Sequence, residues 1–165
     1  MFHWYGLIVG IAVVVWWSIA ERLEPKLKKI VPIMLLLALI GARSYHVFEY
    51  WQYYQSNAKA MFSLWAGGLS IWGALILGGG YVLLVARSMV WAVVTPLPLA
   101  QAIGRLGNFV NGEFTRPVLG IPWWGMEAIM DLALFGIILN VKKEWRVGIF
   151  VVGYSLIRLV LAPYR

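Results

Sequence analysis

The sequence predicts an all-α polytopic membrane protein of about six transmembrane helices, the fourth broken or re-entrant, forming a single transmembrane helical domain over residues 1–165. Three observations carry that expectation. The chain is 62% hydrophobic and only 13% charged, with a mean hydropathy of +0.78, whereas a soluble domain carries about 25% charged residues. Apolar runs near 4–20, 30–48, 66–86, 89–111, 124–140 and 147–163 each approach the roughly 20 residues that cross a hydrocarbon core. The basic residues fall in short clusters between those runs and not along one polar face. The net charge of +7 therefore reflects membrane topology, and no nucleic-acid partner is expected.

Taken in order, the first run begins at Tyr5 with no basic stretch ahead of it and no small-residue cleavage site behind it. It is expected to be a retained span, not a signal peptide. Arg22, Lys26, Lys28 and Lys29 follow it, Arg87 follows the third run, and Lys142, Lys143 and Arg146 separate the fifth from the sixth. Lys59, Arg116 and Arg165 occupy the opposite loops. Eight basic residues against three place the eight in the cytoplasm and both termini outside. In the third run Ala66, Ser70, Ala74 and Gly78 recur every four residues, a small-residue stripe that lets another helix approach closely. The fourth run carries TPLP at 95–98, which puts Thr95 where it could cap a helix and Pro96 at the first helical position. Such a break lines a cavity more often than it faces lipid.

Arg43, Arg105 and Arg158 fall inside the runs, where a charge costs about 2.5–3.5 kcal/mol at a helix centre. Arg43 lies near an outward end and either snorkels to the interface or joins the site. Arg105, Asn108, Asn111 and Gly112 share one face of the fourth run, with Glu113 at its end, and Tyr154 and Arg158 lie four apart on the sixth. The acids available as counter-charges are Glu49, Glu113, Glu127 and Asp131, the last two four apart on the fifth run. They either glue the bundle as ion pairs or belong to the site. A planar guanidinium suits a phosphate bidentately, and amides beside it suit ester carbonyls or glycerol hydroxyls, so the constellation points to a phospholipid headgroup. The chain has no cysteine, so any thiol chemistry uses a thiol brought by a partner. No metal site or organic cofactor is implied.

These residues carry a resemblance. GRLGNFVNGE at 104–113, with HWYG at 3–6, GARSYHVFEY at 41–50 and GYSLIRLVLAPYR at 153–165, resembles the prolipoprotein diacylglyceryl transferase family across most of the chain. The resemblance implies transfer of the diacylglyceryl group of phosphatidylglycerol to the cysteine thiol of a prolipoprotein lipobox, in a bacterial cytoplasmic (inner) membrane, among membrane lipids. It carries over Tyr5, Arg105, Asn108, Glu113, Tyr154 and Arg158 as essential residues; with the polar constellation, the expected catalytic set is Tyr5, Arg105, Glu113, Tyr154 and Arg158, and the expected substrate-binding set is Arg105, Asn108, Asn111, Gly112, Arg158 and Arg43. The chain departs from the pattern at several points. Members hold a histidine or tyrosine where Trp72 stands, and an indole cannot accept a thiol proton. The family's glycine before an arginine is missing from NGEFTRP at 111–117, and Ala162 replaces a glutamate. The outward head between signature and fifth run is short, and Arg165 stands where members continue into a further helix.

The alternative function is a catalytically silent phospholipid-binding membrane protein of the same fold. A transporter would show symmetry between its halves, which this sequence lacks by inspection.

Overall fold

The computed structural model describes residues 4–64, 67–112 and 117–164. In chain order, α1 (Trp4–Leu23) and α2 (Leu27–Glu49) precede the short α3 (Trp51–Ser56), a 3-10 turn (Ala58–Phe62), α4 (Ile71–Ala74), a π-helical turn (Leu75–Gly79) and α5 (Gly80–Val85). After a 3-10 turn (Arg87–Met89) come α6 (Val90–Val94), α7 (Leu97–Val110), β1 (Pro117–Val118), β2 (Ile121–Pro122), α8 (Trp123–Leu139) and α9 (Lys143–Leu161). The protein is thus a mostly helical membrane protein. Trp4–Leu23, Leu27–Glu49 and Lys143–Tyr164 are each long and apolar enough to cross a membrane, and the pair Ile71–Val85 and Arg87–Val94, broken at Ala86, passes the same test jointly. Large apolar side chains such as Val14, Leu36, Leu84 and Leu159 are exposed on these helices, as expected where the surrounding solvent is lipid.

The chain forms two compact units, Met1–Pro25 with Trp91–Arg165, and Lys26–Val90. In the second, α2 packs against α4 and the π-helical turn. Their close approach is made by Gly41 and Gly73, where a Cβ on either would fall on the other's backbone carbonyl, and by Gly78, whose added Cβ would lie 2.7 Å from the Ala38 Cβ. The expected small-residue stripe is therefore shifted. Gly78 serves as foreseen and Ala66 lies outside the described residues, but Gly73 makes the crossing in place of its neighbour Ala74, because only a hydrogen side chain lets the two backbones touch. Arg43 resolves its two options locally. Its Nε donates to the Met61 carbonyl at 2.8 Å, Nη1 to those of Gly67 and Gly68 at 2.6 and 2.8 Å, and Nη2 to that of Ala60. The guanidinium ties the carbonyls of Ala60, Met61, Gly67 and Gly68 to α2, with the Tyr54 ring 5.3 Å beneath it.

In the first unit α7 packs between α1 and α8, and α8 packs against α9. The Trp16 indole donates to the Val93 carbonyl at 2.8 Å, fastening α1 beside the break between α6 and α7. That break falls at Thr95 and Pro96, but Thr95 does not cap α7. Its hydroxyl donates back to the Trp91 carbonyl at 2.6 Å and lies 3.4 Å from Arg146 Nη1, while Pro96 itself occupies the N-cap position. A proline side chain carries no acceptor for the first-turn N–H groups, so the helix starts without a side-chain cap. The all-helix expectation needs one addition: β1 and β2 form a two-residue hairpin, Pro117 opposite Pro122 and Val118 opposite Ile121. Leu119 and Gly120 turn it at φ 52° and 81°, the positive pair that a two-residue turn matching strand twist requires.

Candidate active site

The site is built on α7. At 100° per residue, Arg105, Gln101, Asn108, Gly104, Asn111 and Gly107 occupy one continuous sector of about 160°. The sector has a different neighbour at each edge. At one, the Tyr5 ring of α1 lies on Gly107, where an added Cβ would come within 2.7 Å of the ring's Cδ2. At the other, Arg105 Nη2 donates to Glu127 Oε1 of α8 at 2.9 Å. Between the edges the surface is open, for a Cβ placed on Gly104 would meet nothing within 4 Å.

Glu127 is the electrostatic centre. It is fully buried, and Arg158 Nη1 of α9 approaches the same carboxylate oxygen at 3.7 Å. Two guanidiniums from different helices thus converge on one carboxylate. They differ in freedom: the Arg105 side chain is 21% exposed and stacked 5.8 Å from the Trp123 ring, whereas the Arg158 side chain is 45% exposed. The longer contact and greater exposure leave Arg158 less restrained than Arg105. Asp131, one turn further along α8, is also fully buried, and neither of its oxygens has a hydrogen-bond partner among the described residues. Leu134, Ile138, Ile157 and Leu161 close α8 against α9 beyond it, helped by Gly153, which admits the Leu134 side chain.

The structure brings together Arg105 and Arg158, and it sets Asn108 half-buried in the open sector and Tyr5 at its edge. Tyr154 is half-buried one turn before Arg158 and stacks on Phe150 at 5.7 Å. Asn111 lies past the end of α7, its N–H bonded to the Gly107 carbonyl at 3.0 Å. Gly112 does not continue the helical face. It terminates α7 in the left-handed conformation at φ 71°, which an L-residue with a Cβ disfavours. Glu113 lies outside the described residues, as does His3. Arg43 belongs to the other unit and is engaged by carbonyls, as above. Trp72 is exposed on α4, and His46 packs against Tyr50 and Tyr54, with ring centroids 4.6 and 5.9 Å away.

Sequence reasoning had named Glu127 and Asp131 only as possible counter-charges. Their four-residue spacing on an otherwise apolar run was the available signal, but it could not say that Glu127 bridges both arginines. It also passed over Gln101 and Trp123.

Residues 1–165 match the profile of the prolipoprotein diacylglyceryl transferase family. The chain belongs to that family. Its relatives include the phosphatidylglycerol–prolipoprotein diacylglyceryl transferase of Clostridioides difficile, 32% identical over 98% of this chain and 78% of that one. The protein of the same name from Parasynechococcus marenigrum is 30% identical over 99% of this chain and 76% of its own. That from Staphylococcus aureus is 28% identical over 99% and 74%. The match therefore covers the arginine cluster, the open sector of α7 and both flanking helices, and it makes this protein a member of a transferase family.

Proposed function

We propose that this transferase-family member moves the diacylglyceryl group of phosphatidylglycerol to the thiol of a prolipoprotein lipobox cysteine. The observation that carries the reading is the convergence of Arg105 and Arg158 on buried Glu127 beside an open, amide-lined sector. The thiol sulfur attacks the glycerol carbon that bears the phosphate. The new S–C bond forms as the C–O bond breaks, the electron pair passes to the phosphate oxygen, and the thiol proton leaves to base or solvent. Negative charge therefore grows on the departing glycerol phosphate, and preorganised guanidiniums stabilise that growth more than they stabilise the bound lipid. Arg105 and Arg158 hold the phosphate, Asn108 and Asn111 orient the headgroup, Tyr5 and Tyr154 supply hydroxyls near the reacting carbon, and Glu113 positions the end of the signature. Within this reading the chain crosses a bacterial inner membrane six times, with the fourth span broken at Thr95 and Pro96 and both termini external.

The test is mass spectrometry of a lipobox peptide incubated with purified protein and phosphatidylglycerol. The expected product is a thioether-linked diacylglyceryl peptide with release of glycerol phosphate. Arg105→Ala and Arg158→Ala should each lower the rate about 10²–10³-fold, the usual effect of losing one preorganised donor. An unmodified peptide from folded protein that still binds the lipid would leave phospholipid binding as the function.

A further inference from the structure

Below the arginine cluster lies a second polar level that the transfer step does not use. Gln101 is four residues before Arg105 on α7, and Asp131 is four residues after Glu127 on α8. The two helices pack together, with Arg105 paired to Glu127. In a helical hairpin those offsets carry both residues about 6 Å, just over one turn, from the ion pair in the same direction. The chemistry at that level is lopsided. Gln101 Oε1 and both oxygens of Asp131 are buried with no hydrogen-bond partner among the described residues. All three unpaired atoms at this level are acceptors, the Gln101 amide nitrogen being the donor that the same side chain carries, and buried polar atoms left unpaired are uncommon. Gly104, between this level and Arg105, leaves open space at its Cβ position.

Resting on the transferase reading, we propose that Gln101 and Asp131 form a diol-reading subsite for the glycerol headgroup of the donor lipid. Of the polar groups on phosphatidylglycerol only the two headgroup hydroxyls donate hydrogen bonds. With the phosphate on Arg105 and Arg158, those hydroxyls reach one helical turn deeper, past Gly104, and satisfy the Gln101 and Asp131 oxygens. Gln101 and Asp131 therefore set headgroup specificity and take no part in bond breaking.

The experiment compares phosphatidylglycerol with phosphatidylmethanol, which has the same phosphodiester charge and no hydroxyl. Binding and transfer are measured for wild type, Gln101→Met and Asp131→Leu in bicelles. A site built to bond a hydroxyl rejects the analogue lacking it, so wild type should favour phosphatidylglycerol by at least about tenfold. In both variants the ratio should fall toward one, through weaker phosphatidylglycerol binding and unchanged phosphatidylmethanol binding. Asp131→Asn, which keeps one acceptor, should retain part of the preference. Both apolar variants remove buried, unpaired polar atoms, so they should fold at least as well as wild type. Equal ratios in wild type and variants, or a wild-type ratio near one, overturn the proposal. Wild type that transfers equally from both lipids overturns the subsite and leaves the transferase reading standing. Wild type that prefers phosphatidylglycerol in binding yet transfers from neither lipid does the reverse.

Discussion

Removing Glu127 should expose how strongly the arginine cluster is held. At 2.9 Å a unit charge pair has a Coulomb energy of about 6 kcal/mol at an effective dielectric constant near 20, most of it cancelled by desolvation. The 3.7 Å contact to Arg158 involves a side chain 45% exposed, so screening should leave it under about 1 kcal/mol. The expected loss for Glu127→Met is thus dominated by stranding the Arg105 guanidinium, about 3 kcal/mol. Arg105→Met should lose a similar amount, because it takes the guanidinium at 2.9 Å away from a fully buried carboxylate. The double variant replaces the pair with apolar side chains of like volume and should return to within about 1 kcal/mol of wild type. Reversible unfolding in mixed micelles, run as a double-mutant cycle, measures the coupling. A coupling below about 0.5 kcal/mol would refute the reasoning and reduce the pair to a solvated contact. The double variant should still be inactive, since stability and phosphate binding are separate properties of the same residues.

Gly73→Ala should destabilise α2 against α4 because its Cβ meets the Gly41 carbonyl, whereas Gly136→Ala, with nothing within 4 Å of the new Cβ, should stabilise by about 0.5–1 kcal/mol; thermal unfolding of the two variants checks the opposite signs. Single cysteines at Ser56 and Glu144 should label from opposite sides of the membrane, and labelling from one side would overturn the six-span topology. Trp72 cannot accept the thiol proton, so transfer should rise steeply between about pH 7 and 9 as the substrate cysteine, pKa near 8.5, ionises. Trp72→His should raise the neutral-pH rate relative to wild type, and a flat wild-type profile would show that another residue is the base.

What the sequence determined by itself is whatever composition and periodicity encode locally. Continuous apolar runs of helical length specify α1, α2, α8 and α9, because a backbone in lipid must satisfy its own hydrogen bonds. The break at Thr95 and Pro96 was legible because proline cannot donate to a helix, and the first seven residues of the signature, GRLGNFV at 104–110, lie on α7. Tertiary structure decided the rest, because it depends on which atoms meet across helices. Arg43, Arg105 and Arg158 are alike as intramembrane arginines in the sequence. Folding gives the first to the carbonyls of a neighbouring segment and brings the other two to Glu127. The identity of Gly73 as the crossing point depends on a backbone 32 residues away at Gly41. The unpaired oxygens of Gln101 and Asp131 become informative only once packing removes water from them, for the same residues in a solvated loop would need no explanation.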